Sequence, residues 1–534
     1  MTVRALLEQT FAEASHSINS LIIMNRYTTS CLLTLILLTG GCASLDLDKP
    51  KSTSYAYQAS DSTRLDTITR VYEITHPGES GFELQFDGVQ SLAARLAAAE
   101  LAEVSIDTQY YLIKDDLVGY VFIGSLLEAA DRGVRVRLLL DDIFTQGFDE
   151  GFVALDSHPN FEVRLFNPWA SRKNRFADLF SFKRLNRRMH TKSFTVDNEV
   201  TIVGGRNIAD EYYGASLNTN FGDIDVMAIG PVVREVSTMF DQFWNSRLSV
   251  PVTDFAKLPA DPNATLTQLR AEIRRQLDMV SQSKYEKAVT SDFETYLQSE
   301  PDIFTWAPYV LAYDPPAKAD SAEKKEEIPN IVEPLADAVD RAQQQLVIVS
   351  PYFVPRKEGI EYFKELRERG LEVYVVTNSL AANNHTIVHS GYAPSREPLL
   401  RLGVKIYEVK ANVSLDDLER AGTENTLSTL HSKAFLVDDN ELFVGSFNWD
   451  PRSINLNTES GVIIDSPKLA DELLQRITSG EGRKAYEVVL KEGRLIWLDS
   501  SGGEIIELSK EPDTTWWKRT KAALGELLPI RGHL

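Results

Sequence analysis

Two stretches of this 534-residue chain carry the same polar side chains at the same spacing. His190-Thr-Lys192-Ser-Phe-Thr-Val-Asp197 is followed, six residues on, by Gly204-Gly205-Arg206-Asn207. His431-Ser-Lys433-Ala-Phe-Leu-Val-Asp438 is followed, again six residues on, by Gly445-Ser446-Phe447-Asn448. A lone histidine beside a strand is ordinarily structural, but two copies with one spacing and one Gly-x-x-Asn tail point to a shared task. Alternate side chains of a strand share a face, so His190 points with Lys192 and His431 with Lys433. A turn at each Asp and a return strand (residues 201–203 and 442–444) then bring Asn207 and Asn448 back beside them. Each set offers an imidazole, an ammonium and an amide, with no carboxylate cluster for a metal, so neither a metal nor another cofactor is expected and activity should survive EDTA. Such a set suits a phosphodiester: cations and amide donors stabilise oxyanion charge while histidine attacks or moves protons. Two sets face to face would put two histidines in line across one phosphorus.

The elements that must position these residues are also duplicated. Helical periodicity over residues 89–103 gives way to a β-branched and aromatic strand (104–113), a helix (118–132), a Gly133 stop and an apolar strand (134–140). The later half repeats the order with a helix over 332–342, a strand over 346–349, a helix over 359–369, a Gly370 stop and a strand over 371–376. Alternating helices and buried strands predict an α/β sheet in each half. The organisation expected is a signal segment (1–42), a polar tether (43–80), a first lobe (81–250), a helical insertion and mobile linker (251–330), a second lobe (331–480) and a C-terminal extension (481–534). The insertion reads as helical over 253–298, and the exposed mobile linker begins at Asp314-Pro-Pro-Ala-Lys318.

The paired motifs resemble the HxKxxxxD motifs of the phospholipase D superfamily. Ser350-Pro-Tyr-Phe-Val-Pro355, Thr377-Asn-Ser379 and His389-Ser-Gly-Tyr392 are similar to the bacterial cardiolipin synthase branch, above all to its signal-bearing C-type members. The resemblance implies a duplicated phospholipase D fold, two α/β lobes around one shared active site. It implies a phosphatidyl-histidine intermediate, with one histidine attacking phosphorus and the other protonating the leaving alcohol, then deprotonating the incoming alcohol or water. His190 is taken as the nucleophile and His431 as the acid/base, the near-symmetry leaving the reverse open. Lys192, Lys433, Asn207 and Asn448 would hold the non-bridging oxygens. Glu459, 28 residues after His431, stands where the family places the carboxylate that orients its histidine, and Asp223 is its equivalent, since Asp223 to Pro231 spans the same eight residues as Glu459 to Pro467. Asp197 and Asp438 would close the strand turns. Gly205 stands where the second half has Ser446, so the first half lacks one hydroxyl donor. The activity implied is phosphatidyl transfer making cardiolipin from phosphatidylglycerol and a second phospholipid. Hydrolysis to phosphatidic acid is the alternative on the same scaffold, and a periplasmic nuclease the alternative in substrate class.

Charge and targeting bear on that choice. With 56 basic and 77 acidic residues the net charge is −21, a far field that repels polyanions, so no nucleic-acid partner is expected. Residues 172–192 run the other way, with eight basic side chains against Asp178 and with Phe176, Leu179, Phe180, Phe182 and Leu185 interleaved. This segment, with Arg187 and Arg188, and Tyr392 in the later motif, is expected to bind an anionic headgroup at a membrane surface, or, more blandly, to be a solvated basic face. Both cysteines lie near the N-terminus, Cys31 opening the apolar run 31–42 and Cys42 closing it. The run is too short to span a bilayer and suits a signal h-region. Arg26 precedes it and Gly40-Gly41 stand before Cys42, which resembles a lipoprotein signal with lipidation at Cys42 and a start at Met24. Ala43 leans the destination to the outer membrane, facing the periplasm. The Trp516–Pro529 ending, bulky and basic, would lie on a membrane interface or simply dock on the body. The sequence names no protein partner.

Overall fold

The computed structural model describes residues 45–534 apart from 59–62, 176–177, 179–180, 217, 281–302, 321, 323–327, 412–426, 482–483 and 527–534. The signal segment with Cys42, three of the interleaved aromatic and leucine residues (Phe176, Leu179 and Phe180) and the latter part of the insertion therefore lie outside the described residues. The described residues among 45–46 and 169–182 form a small unit, in which Ser171 N–H donates to Asp178 Oδ2 at 2.8 Å. Residues 47–168 and 183–534 form one compact unit that holds both lobes.

Each lobe is built on a sheet with the same strand order. In the first, Ser80–Gln85 is followed across the sheet by Asp225–Ile229, Val200–Gly204, Ser193–Val196, Ser105–Tyr110, Arg135–Asp141 and Phe161–Phe166. In the second, Tyr309–Tyr313 is followed by Ser460–Asp465, Glu441–Gly445, Ala434–Val437, Gln345–Val349, Glu372–Asn378 and Lys405–Val409. In both, the last three strands named run parallel and the remaining pairings are antiparallel. The helices that return the chain between parallel strands, Leu117–Asp131 and Arg356–Glu368, end at Gly133 (φ +101°) and Gly370 (φ +92°), the left-handed stop that a glycine takes without strain.

Strand alternation sends one face of each sheet outward, under its own helices, and the other toward the opposite lobe. Phe122, Leu126, Val136 and Phe161 pack beneath the first lobe's helices, and Phe363, Val373, Val375 and Ile406 beneath those of the second. A third cluster draws from both sheets: Leu139, Val203 and Val226 join Val349, Leu436, Val444 and Val462. Two helices in equivalent places, Pro231–Asn245 and Pro467–Gln475, seal it with Val236, Phe240, Phe243, Leu469 and Leu473. Truncating one of these buried aromatics to alanine costs about 3–5 kcal/mol, so the lobes are held as one folding unit.

Two expectations about connections are corrected. The segment expected as a tether docks against the first lobe: Arg137 and Arg164, buried on its sheet, donate to the Ser54 and Ser52 carbonyls at 2.9 and 2.7 Å. Trp244 Nε1 donates to Ser54 Oγ at 2.9 Å, and residues Arg64–Thr75 form a helix. Its polar composition, which reads as solvated, instead supplies carbonyls to buried guanidinium groups. The linker is likewise structured at its start. Thr305–Ala307 pairs with the first sheet and Tyr309–Tyr313 with the second, and Asp314 is fully buried, accepting from the Ile331 and Glu459 amides and from Lys318 Nζ at 2.9, 2.9 and 2.7 Å.

Candidate active site

His190 and His431 follow equivalent strand entries, and each is fixed by backbone from the opposite lobe. Thr219–Gly222 of the first lobe pairs in parallel with Leu427–Leu430 of the second, and the two strands deliver Asp223 and His431 side by side. The His431 N–H donates to the Gly222 carbonyl at 2.7 Å. In the mirror arrangement, Met189 and Thr458 form a parallel bridge, and His190 N–H donates to the Thr458 carbonyl at 2.9 Å. That bridge delivers His190 beside Glu459.

The carboxylates are therefore crossed between lobes. Glu459 Oε2 stands 2.7 Å from His190 Nδ1, and Asp223 Oδ2 stands 2.5 Å from His431 Nδ1. Glu459 is braced by Ser446 Oγ (2.6 Å), Ser453 Oγ (2.9 Å) and Asn457 Nδ2 (3.4 Å). Gly205, the counterpart of Ser446, leaves room: a Cβ there would stand 2.2 Å from Asp223 Oδ1. Aspartate is one methylene shorter than glutamate, so the backbone on that side has to approach more closely, which only glycine permits.

Burial holds the imidazoles neutral. The His190 pKa falls to about 4 through desolvation, opposed by Glu459, and that of His431 to about 3 through desolvation and the Lys433 charge. Burial also lowers Lys192 to about 7 and Lys433 to about 8. Glu459 titrates near 2 because the His190 and Lys192 interactions outweigh the cost of its burial, and the Lys433 and His431 interactions likewise hold Asp223 below the usual range. A carboxylate that accepts a hydrogen bond from Nδ1–H fixes the proton on Nδ1 and leaves Nε2 with its lone pair, the state in which imidazole is a nucleophile or a base. The lysines differ. Each Nζ donates to the carbonyl of its own motif histidine, Lys192 to His190 at 2.6 Å and Lys433 to His431, but Lys433 Nζ also lies 2.6 and 3.2 Å from the two ring nitrogens of His431. Nδ1 of His431 cannot both donate to Asp223 and accept from Lys433, and the anionic carboxylate has the stronger claim on its proton.

The remaining motif residues divide. Asn207 and Asn448 are buried, each with a side-chain oxygen that has no partner among the described residues, and Asn207 Nδ2 donates to the Tyr212 hydroxyl at 2.9 Å. Asp197 accepts from the backbone amides of Glu103, Val104 and Ser105, at 2.9, 2.8 and 2.8 Å. Asp438 does the same for Gln343, Gln344 and Gln345 at 3.1, 2.7 and 3.0 Å, so both tie a motif turn to the start of the neighbouring strand.

Three expected headgroup ligands are corrected. Arg188 is fully buried, with Nε 3.0 Å from Asp141 Oδ2 and a second nitrogen donating to the Asn167 carbonyl at 3.0 Å. Arg187 is buried and donates to the Lys318 carbonyl at 2.7 Å. Tyr392 is buried beneath the second lobe and donates to Glu408 Oε1 at 3.0 Å. A count of charges does not separate an arginine facing solvent from one satisfying strand-end carbonyls.

Sequence reasoning missed the aromatic walls. Tyr111 meets His190 edge-on at 4.9 Å, while Phe221 stacks on His431 at 5.2 Å and Tyr212 meets it edge-on at 5.1 Å. Phe221 had only a positional signal, standing two residues before Asp223 in a run (Asn218-Thr-Asn-Phe-Gly-Asp223) whose Asn and Gly residues do not read as a strand.

With this geometry in view, the family comparison is decisive: the model described as "Cardiolipin synthase, PLD-like domain" matches residues 93–244 and 335–479, one match per lobe. The chain belongs to this family. Among relatives of the cardiolipin synthase family, it is 40% identical to cardiolipin synthase C of Escherichia coli (strain K12), over 85% of this chain and 96% of that one. It is 23% identical to a cardiolipin synthase of Staphylococcus aureus (strain Mu50 / ATCC 700699), over 74% of this chain and 66% of that one. The fold matches that of the crystal structure of phosphatidylserine synthase from Haemophilus influenzae Rd KW20, with a TM-score of 0.53 and 13% identity, covering 87% of this chain and all of the other.

Proposed function

We propose that this chain transfers a phosphatidyl group between alcohols, making cardiolipin from phosphatidylglycerol and a second phospholipid. The observation that carries the reading is the pair of crossed, buried imidazole–carboxylate couples, Glu459 with His190 and Asp223 with His431, in a chain 40% identical to a cardiolipin synthase. Nε2 of His190 attacks phosphorus, the bond to the leaving alkoxide breaks, and His431 gives that oxygen its proton. The acceptor hydroxyl then loses its proton to His431 as its oxygen displaces His190 from phosphorus. A phosphodiester anion beside His431 raises the proton affinity of an imidazole that is otherwise held neutral. Lys192, Lys433, Asn207 and Asn448 stabilise the oxygens that gain charge.

One observation favours the reverse roles: the Lys433 ammonium lies against the His431 ring and favours its neutral, nucleophilic form. Trapping with labelled phosphatidylglycerol separates the two, because the variant that lacks the acid/base still acquires label and the variant that lacks the nucleophile does not. The overall reading is tested by lipid mass spectrometry on a host without its own cardiolipin synthases. Cardiolipin with the parent chain, and none with His431→Ala, is expected. A rise in phosphatidic acid instead would make the chain a hydrolase. Lipidation at Cys42, placing the protein outside the cytoplasmic membrane and facing the periplasm, with the outer membrane favoured, belongs to the same proposal, and unchanged incorporation of a labelled fatty acid into Cys42→Ser protein would refute it.

A further inference from the structure

Bulky apolar side chains stand exposed around the catalytic residues. Phe144 meets Tyr111 edge-on at 5.6 Å, and Tyr111 meets His190 at 4.9 Å. Ile454 lies on the short helix Pro451–Asn455, whose Ser453 braces Glu459. Ile387 follows His385, whose ring lies 5.9 Å from that of Tyr352, which in turn meets His431 edge-on at 6.5 Å. Each is exposed and a few residues or ring contacts from a catalytic group.

The C-terminal helix Trp516–Gly525 continues this rim with its amphipathicity inverted. It packs on helix Thr386–Tyr392 by small residues: Ala522 and Gly525 are buried, and a Cβ at Gly525 would stand 2.4 Å from Ser390 Oγ. Lys518 Nζ secures the other end by donating to the Ala381 carbonyl at 2.9 Å. Its large side chains face away from that contact. Trp516 is 60% and Trp517 66% exposed, their ring centroids 4.6 Å apart, and Leu524 is exposed as well. Trp517, Lys521 and Leu524, at i, i+4 and i+7, share one stripe. A helix that docks only to complete a fold buries its bulky face, and this one presents that face to the outside.

We propose that Trp516, Trp517 and Leu524, with Phe144, Ile387 and Ile454, form a membrane-docking surface that seats the active site against the bilayer holding its substrate. The inference rests on the phospholipid reading above. Indole rings settle at headgroup depth, where their apolar body and N–H are both satisfied, and the exposed Lys521 in the same stripe meets lipid phosphate. A protein seated on this rim would cover the approach to His190 and His431, whereas a bilayer seated there supplies it.

The test compares full-length Cys42→Ser protein, which lacks a lipidation site, with the same chain carrying Trp516→Ala and Trp517→Ala. Co-sedimentation with phosphatidylglycerol–phosphatidylethanolamine vesicles is measured, together with turnover on those vesicles and on monodisperse short-chain phosphatidylglycerol. The ratio of vesicle to monodisperse turnover, and the vesicle affinity, are each expected to fall by about tenfold or more. Trp516→Phe with Trp517→Phe should restore most of both, which excludes misfolding as the cause. Equal vesicle binding and an equal turnover ratio in parent and alanine variant would overturn the proposal, as would a parent dimer that the alanine variant dissociates with vesicle binding unchanged. If the parent turns over neither substrate while vesicle binding still depends on the tryptophans, the docking surface stands and the phosphatidyltransfer reading fails.

Discussion

Gly205 and Ser446 occupy the same place in the two halves, and the carboxylates they face differ by one methylene. On one side Ser446 Oγ donates to Glu459 at 2.6 Å, and on the other a Cβ would lie 2.2 Å from Asp223 Oδ1. Gly205→Ser alone should therefore displace Asp223 from His431 and lower turnover by about a hundredfold or more. Combining it with Asp223→Glu recreates the Ser446–Glu459 arrangement and should recover part of that loss in steady-state assays. A double variant no better than the single one would show that the two sites are not interchangeable. Titration provides a second check. The unfolded chain protonates histidine near 6.5, whereas His190 and His431 hold out to about 4 and 3 in the fold. Between those values the unfolded state binds more protons, so stability is lost as pH falls through that window. Glu459, near 2 in the fold against 4.5, loses its contribution in the same direction at lower pH. Buried carboxylates with raised pKa, Asp450 and Glu199 at about 7, act in the opposite direction over the same range, so the histidines are read from the difference between the parent and the protein carrying His190→Asn and His431→Asn. The parent's urea midpoint should fall relative to the variant's between pH 6.5 and 4. A difference that does not change with pH would contradict the buried neutral imidazoles. At this scale the motif residues were legible because identical spacing recurs, and the roles of Arg187, Arg188 and Tyr392 were not, because burial is decided by segments far away in sequence.

The elements that carry those residues were predicted to within a few positions where periodicity is local. The helix expected over 89–103 is Gly88–Leu101, and the strand expected over 134–140 is Arg135–Asp141. What leaves no local trace is the pairing of Thr219–Gly222 with Leu427–Leu430, which places Asp223 beside a histidine 208 residues away. Polar segments misled for a related reason: the residues before the first lobe and at Asp314 satisfy buried donors that periodicity does not reveal. The strand leading to His431 has its own clamp. Asn378, buried at the end of Glu372–Asn378, donates to the Leu430 carbonyl at 2.9 Å and accepts from the Leu430 N–H at 3.0 Å. Asn378→Ala removes both, at about 1–3 kcal/mol for the buried groups left unpaired. We expect kcat to fall by about ten- to a hundredfold with KM little changed, since the clamp positions His431 without touching substrate. Asn378→Asp keeps the acceptor, and an activity between parent and alanine variant is expected; equal activity of all three would remove Asn378 from the positioning of His431.

For the whole molecule, the crossed carboxylates mean that neither lobe owns a complete catalytic set. His190 depends on Glu459 and on the Thr458 carbonyl from the second lobe, and His431 depends on Asp223 and on the Gly222 carbonyl from the first. The shared cluster that joins Val203 and Val226 to Val444 and Val462 makes this dependence a property of one folded chain. The duplication visible in the sequence implied two similar lobes, but the exchange of carboxylates between them follows only from the way they pack. A single chain thus contains one whole site, and two damaged chains have no way to mend each other. Equimolar His190→Ala and His431→Ala proteins, mixed after separate folding, should show no more turnover than either alone. Co-refolding from denaturant should give the same result, because separation of the lobes would expose the shared cluster at a cost of several buried side chains, each worth about 1.5–3 kcal/mol. Activity that appears only after co-refolding, and that rises with protein concentration, would mean that lobes from different chains can pair and would overturn the one-chain site.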